Sequence, residues 1–371
     1  MSSFRLVPVD TMSGEPIIPE VPCVEASWTR TMSSIGVGRG RFTIPTAQLS
    51  RGVVQRLIDK QATTLVPEFM FQQTDGRFGG IAEYAGICQR YRWRGDALEF
   101  DTTELAGMLL ARHLFGVSPG PVTRDITGES WGHVLRQVIR YALSDTGSST
   151  WDFPIDFPGY RTGPIRRKVE WWRFERAQDI TDEVVTETGS TFDLHPTWAD
   201  GALRWILRIN ETAGDIRMVA STTEHRVIGG CSVEEELDYS KLRTGIFAVG
   251  EGEESKLQYG SAGSSQAAVS TTGPRLDSSV SWTNISDKKR LNSLARGELM
   301  RTAKPTRKWS LVIKCGDGNS LHPWRFQPGT ELLVEHPGDK VVAAGRYSVT
   351  CLEVERDMTN VVRVVGEAEK L

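Results

Sequence analysis

WRFERAQDITDEVVTETGSTFDLHPTWADGALRWILRI, residues 172–209, reads as a helix, a short strand, a turn and a second strand. From Arg173 to Thr188 the residues are helix formers, with Phe174, Ala177, Ile180, Val184 and Val185 at helical spacing and Gly189 as the stop. Phe192 and Leu194 then alternate with polar residues, and Asp200-Gly201 forms a tight turn. Beyond it Leu203, Trp205, Leu207 and Ile209 point one way, while Arg204 and Arg208 point the other.

Upstream of this block, Trp28-Thr29-Arg30, the glycines of SSIGVGRG and Arg41-Phe42-Thr43-Ile44-Pro45 predict a β-hairpin with a loose tip. The glycine run lies between two strands with no lysine after it, so it lacks the strand, GxxxxGK[ST] and helix order of a phosphate loop. Residues 50–75 hold a helical turn or two around Val53, Val54, Leu57 and Ile58. A second hairpin follows, in which Ile87, Gln89, Tyr91 and Trp93 alternate with Cys88, Arg90, Arg92 and Arg94 before the turn at Gly95-Asp96. Its three arginines in a row suit an electrostatic contact with a neighbouring subunit or passing DNA, or else an edge strand that charge keeps from aggregating. Asp101 is placed to cap a helix with Glu104 reaching back. A further helix after Thr127 carries a core-facing stripe of Trp131, Val134, Leu135, Val138, Ile139 and Ala142. Residues 144–165 read as a long aromatic loop, which is either a docking surface or a lid over the local core.

Downstream, strands are expected around Val227 and over 245–250, and the Gly/Ser-rich 251–275 as an exposed, mobile loop. Ser286 is expected to cap a helix running through Leu291, Leu294, Ala295, Glu298 and Leu299. From Trp309 onward the pattern is all β, at the spacing of a small barrel or sandwich.

With 371 residues the chain is long enough for two to four compact units. Lys plus Arg number 44 against 47 Asp plus Glu, which argues against duplex binding as the main task. The cysteines Cys23, Cys88, Cys231, Cys315 and Cys351 form no CxxC and read as reduced, buried hydrophobes of a cytoplasmically made protein. The N-terminus carries no export pattern, and no apolar run reaches the ~18 residues of a membrane span.

No catalytic signature stands out. The six histidines never fall within four residues of each other, and no HExxH, Cys/His set or GxSxG elbow is present, so catalytic, cofactor-binding and metal residues are all expected to be none. Asp152 and Asp156, among Trp151, Phe153 and Phe157, are the first place to seek a carboxylate pair for sugar cleavage, against a reading as packing and solvated charge. The runs Glu234-Glu235-Glu236 and Glu251-Gly252-Glu253-Glu254 read as solvated, or as acidic loops lining a channel and repelling DNA.

Three stretches carry a resemblance: Trp28-Thr29-Arg30 with RFTIP at 41–45, LEFDTTELAGMLLARHLF at 98–115, and the block at 172–209. Together with the final helix and all-β end, they resemble the tail hub (minor tail or baseplate hub) proteins of long-tailed bacteriophages. That likeness implies a β-rich α+β, multidomain hub with two tube-like β-barrels and inserted helix-containing α+β domains. It divides the chain into a first barrel at 1–115, completed by strands around 203–250. An α+β insertion follows at 116–202, strands and a mobile loop at 203–285, and a helix with the C-terminal barrel at 286–371. It also implies a virion protein of the tail tip, made in the host cytoplasm: a homotrimeric ring that meets the distal tail protein, the tape measure protein and the fibres or spike. DNA would pass through its lumen without specific binding, and no fused enzyme is expected after the last barrel. The rival readings are a glycan- or peptidoglycan-cleaving virion enzyme and a host-wall-binding adhesin.

Overall fold

The computed structural model describes residues 3–32, 36–59, 63–72, 78–114, 123–143, 153–159, 162–188, 190–210, 225–227, 232–240, 242–263, 276–283, 285–303, 306–315 and 322–371. The first third builds β1 (Ser3–Asp10), β2 (Glu25–Thr31), β3 (Arg39–Pro45), α1 (Arg51–Ile58) and β4 (Thr63–Gln72). Then come β5 (Phe78–Ala82), β6 (Gly86–Arg94), β7 (Ala97–Glu104) and the short α2 (Leu105–Leu110). The middle supplies β8 (Thr123–Glu129), α3 (Trp131–Leu143), β9 (Ile155–Asp156), β10 (Thr162–Glu170), α4 (Ala177–Thr188), β11 (Thr191–Ala199) and β12 (Ala202–Asn210). After β13 (His225–Val227), β14 (Ser232–Asp238), β15 (Gly245–Val249), β16 (Tyr259–Gly263) and β17 (Asp277–Ser281) comes α5 (Lys288–Thr302). The chain finishes with β18 (Thr306–Lys314), β19 (Glu331–His336), β20 (Gly345–Asp357) and β21 (Val361–Lys370).

Thirteen strands join one sheet in the order β1-β4-β6-β7-β3-β2-β20-β21-β18-β14, with β5 on β4, β19 on β20 and β13 on β19. The fold is therefore β-rich with few helices and several sheets. Among the described residues the ladder runs as one open path and closes no barrel. Its continuity depends on β20, which is 13 residues long. The first half of β20 pairs with β19, from Gly345 opposite His336 to Thr350 opposite Glu331. Its second half pairs with β2, from Glu353 opposite Thr31 to Asp357 opposite Ser27. A bulge between Cys351 and Glu353, in the ladder with β21, marks the changeover, where the strand bends and its twist increases.

Four apolar cores follow from this layout. Trp28, Phe42, Phe69 and Tyr84 fill the first half of the sheet, with Trp28 stacked on Phe42 at 6.3 Å. Trp309, Tyr347, Val349 and Cys351 fill the second half. The predicted stripe on α3 buries Val134, Leu135, Val138, Ile139 and Ala142 against α4 residues Ala177, Ile180 and Val184 and hairpin residues Leu203, Trp205 and Leu207. A smaller core packs α5, through Leu291, Leu294 and Ala295, on the β16-β15-β17 sheet.

The 172–209 block forms as the pattern requires: β11 and β12 pair from Thr191–Asn210 to Ala199–Ala202. The turn between them holds Asp200 at φ 53° and Gly201 at φ 81°. Its helix starts later than expected, at Ala177, because Phe174 adopts a left-handed φ of 52° and the chain first makes a 3₁₀ turn at Trp171–Arg173. Other boundaries differ for similarly local reasons. Asp101 lies inside β7 and caps nothing, since its carboxylate is taken by Arg90 and Arg41; α2 begins after Glu104. The cap of α5 is Asp287, not Ser286, and accepts the Lys289 N–H at 2.8 Å. Glu234–Glu236 form part of strand β14 rather than a loop, and the span expected to be mobile includes strand β16. Residues 264–275 of that span lie outside the described residues.

Candidate functional site

Of the residues singled out for sugar cleavage, Phe153, Asp156 and Phe157 lie among the described residues. Asp152 and Trp151 lie outside the described residues. Asp156 sits in β9 and pairs at the surface with Arg204 Nη2 at 2.8 Å. Phe153 is buried edge-on against Trp205, and the Phe157 ring is covered by Arg136 and Arg140 at 5.9 and 5.6 Å. The described part of the aromatic loop thus behaves as packing. Among the described residues no group of three or more His, Cys, Asp and Glu could hold a metal ion, and no helix is long and apolar enough to cross a membrane.

The functional interest lies instead in how the units are locked and which edges stay open. Arg30, on β2, is buried where the main sheet meets the β11-β12 hairpin. Its Nη2 donates to Asp193 Oδ1 at 2.7 Å, its Nε to Glu104 Oε1 at 3.4 Å, and its Nη1 lies 3.3 Å from His195 Nδ1. Glu104 Oε2 also accepts the Gly38 N–H at 2.9 Å, so the glycine run after β2 serves to close this latch. Burial pushes the Glu104 carboxyl up to about 7 despite the opposing pull of Arg30. Burial and then the neighbouring Arg30 charge push His195 down to about 3, which keeps the ring neutral so that Nδ1 can accept from Arg30. Burial works against the Asp193 carboxylate too, yet the Arg30 charge brings it below its ordinary value. Arg208 extends the contact to the C-terminal half by donating to Gln327 Oε1 at 3.1 Å. A second buried pair, Arg356 of β20 with Glu83 at 3.0 Å, lies beneath the rings of Trp28 and Phe69. Removing one partner of such a pair would leave an uncompensated buried charge.

Two edges stand out among the described residues. β6 pairs with β7 along its length but meets β4 only at Gly86 and Ile87. A bulge between Cys88 and Arg90 turns the rest of the strand away from the body, so that Tyr91 is 47 % and Trp93 71 % exposed. The arginine row expected here exists, and with Arg41 it makes four cations on two carboxylates. Arg90 and Arg41 bind Asp101, Arg94 lies 3.4 Å from Glu99, and Arg92 reaches both at 3.8–3.9 Å. Arg90 first, then Arg41, holds the Asp101 carboxyl below its ordinary value. The second edge is β14, which among the described residues pairs with β18 alone. Glu234 and Glu236 point outward from it, while Glu235 binds Arg307 at 2.8 Å. Sequence alternation had located the arginines, but not the bulge that exposes the aromatic residues beside them.

No protein-family model and no curated protein matches the chain. Solved structures do. The 43 kDa tail protein of prophage MuSo2 from Shewanella oneidensis matches with a TM-score of 0.57 at 7 % identity, covering 98 % of both chains. The tail protein from Neisseria meningitidis MC58 matches at 0.56 and 10 % identity, over 98 % of this chain and 96 % of its own. Prophage tail protein gp18 from Listeria monocytogenes EGD-e matches at 0.51 and 10 % identity, over 99 % and 95 %. From end to end, therefore, this chain has the fold of these tail proteins.

Proposed function

We propose that the protein is a structural component of a phage-type tail: a homotrimeric hub at the tail tip, acting by assembly rather than catalysis. The observation that carries this reading is the match of fold along the whole chain to three tail proteins, two of them from prophages, that are each spanned almost completely. The open sheet agrees with it. A sheet that ends on the charged β14, paired on one side among the described residues, and carries a half-paired β6 has the head-to-tail edges from which a closed ring is made. In this reading each copy supplies two tube-like units, the halves on either side of the β2–β20 ladder. Three copies then approximate a six-fold ring around a lumen through which DNA leaves. The distal tail protein and tape measure meet it from above and inside, and fibres or a spike attach below, which places the protein in the virion. The acidic balance of the chain, 47 carboxylates against 44 cations, suits a conduit that DNA crosses without sticking.

Electron microscopy of the purified protein over a concentration series tests the reading. The expected result is three-fold rings with an axial hole and a trimer mass by light scattering. A protein that hydrolyses peptidoglycan and loses that activity when one residue pair is changed would overturn it.

A further inference from the structure

Eight strands lead from the half-paired β6 to the outer strand β14, in the order β6-β7-β3-β2-β20-β21-β18-β14. Residues opposite one another in a ladder share a face of the sheet, so one face can be followed from end to end. It begins at Arg90, opposite Asp101, which is opposite Arg41, then Ser27, then Asp357. Two residues earlier on β20, Glu355 lies opposite Arg363 of β21. Two residues beyond Arg363, Val365 lies opposite Ser310, which is opposite Glu234. The arginine row of β6 and the carboxylates of Glu234 and Glu236 are therefore on one face, at its two ends.

Neither end is balanced by its own neighbours. At the β6 end Arg41, Arg90, Arg92 and Arg94 share only Asp101 and Glu99. At the β14 end Glu234 and Glu236 are exposed and form no ion pair among the described residues. Lys308 of β18 stands between Glu236 on one side and Glu367 of β21 on the other. The backbone is open at the same two places. Beyond Ile87, β6 has β7 on one side only, and β14 has only β18, among the described residues. Such a row of N–H and C=O groups is a template for a strand of another chain.

Strand sense decides how these edges can meet. Each of the seven ladders from β6 to β14 is antiparallel, and an odd number of reversals leaves the two strands running oppositely. Rotation about a ring axis lying along the strands preserves each strand's sense. In such a ring, β6 of one copy meets β14 of the next antiparallel.

We infer that residues 89–94 of one copy pair antiparallel with β14 of a second copy, extending the sheet across the subunit boundary. The inference rests on the ring proposed above and names the strands that close it. Main-chain bonds supply the attachment, and the side chains supply the choice of partner. Because side chains alternate with a period of two, only registers that keep arginine opposite glutamate preserve the charged face. With Arg92 opposite Glu236, Arg94 falls opposite Glu234 and Arg90 opposite Asp238. On the other face the same register sets the exposed Tyr91 opposite the exposed Leu237.

Sedimentation velocity of the full-length protein over a concentration series reads the assembly, and amide hydrogen exchange reads the two strands. Assembly should slow exchange at residues 89–94 and 232–238 at least tenfold. Arg92→Glu with Arg94→Glu should raise the concentration of half-assembly at least tenfold, as should Glu234→Lys with Glu236→Lys. All four changes in one chain should return it to within threefold of the wild type, and Arg51→Glu on α1 should leave it unchanged. The substituted side chains are exposed or partly exposed, and circular dichroism verifies the fold. Rings that form equally well in both charge-reversed variants overturn this pairing and leave the ring standing. So does assembly without slower exchange at the two strands, or a combined variant no better than either pair. A wild-type chain that stays monomeric at every concentration overturns both the pairing and the ring.

Discussion

Replacing Glu104 with glutamine should change how stability depends on pH, in a direction fixed by the latch around Arg30. An ordinary glutamate titrates near 4.5, whereas burial raises Glu104 in the folded protein to about 7. Between those values the native state holds a proton that the unfolded chain has released, so stability falls as pH rises through the window. At about 1.4 kcal/mol per pH unit, the two ends of the window give a loss of roughly 3 kcal/mol by pH 7. Glutamine has the shape of the protonated acid and cannot ionise. Relative to the wild type, Glu104→Gln should therefore be close to neutral at pH 4.5 and gain roughly 3 kcal/mol by pH 7.5. His195, pushed down to about 3, contributes the opposite slope: its stability is complete above about 6.5 and is lost as pH falls towards 3. That contribution is common to both proteins and cancels in the difference. Urea unfolding followed by tryptophan fluorescence at half-unit pH steps gives the difference curve directly. A flat curve, or one in which the variant loses ground as pH rises, would show that Arg30 holds Glu104 as an ordinary charged partner, and would refute the argument.

Breaking the Glu83–Arg356 pair by Arg356→Met should cost about 3–5 kcal/mol, and Glu83→Leu added to it should restore most of the loss, as urea midpoints of the three variants would show. Trp205→Ala, at the centre of the largest core, should cost about 3–5 kcal/mol, while Trp93→Ala on the exposed hairpin should stay within about 0.5 kcal/mol; thermal melts distinguish them. Burial pushes the Cys88 thiol up to about 12 and Cys315 to about 11, and raises Cys351 as well. Iodoacetamide at pH 8 should leave these three unmodified in the native protein and alkylate them only after unfolding, as peptide mass spectrometry would show.

The sequence was legible where one face of an element is apolar and the turn chemistry is local. The β11-β12 hairpin, the α3 stripe and the all-β end are of this kind, because Trp205, Val134 and Trp309 each follow their element's own period. It was illegible where a distant partner decides. Nothing near Asp101 announces that Arg41 and Arg90 will hold it in a strand, and nothing near Arg30 announces Asp193 and His195. The bulge after Cys88 shifts the register by one residue and so reassigns the faces of Tyr91 and Trp93, which strict alternation cannot register.

The pairing of β2 with β20 also sets a timetable. Ser27 leaves the ribosome roughly 330 residues before its partner Asp357, which at ~5–20 residues per second is a wait of roughly 15–65 s. Throughout that interval the β2 side of the growing sheet is an uncovered template for strands of other chains. Synthesis in a crowded cell therefore favours a chaperone, or slow and cool expression, until the last two strands arrive. A truncation that removes them would be expected to aggregate rather than to yield a working half.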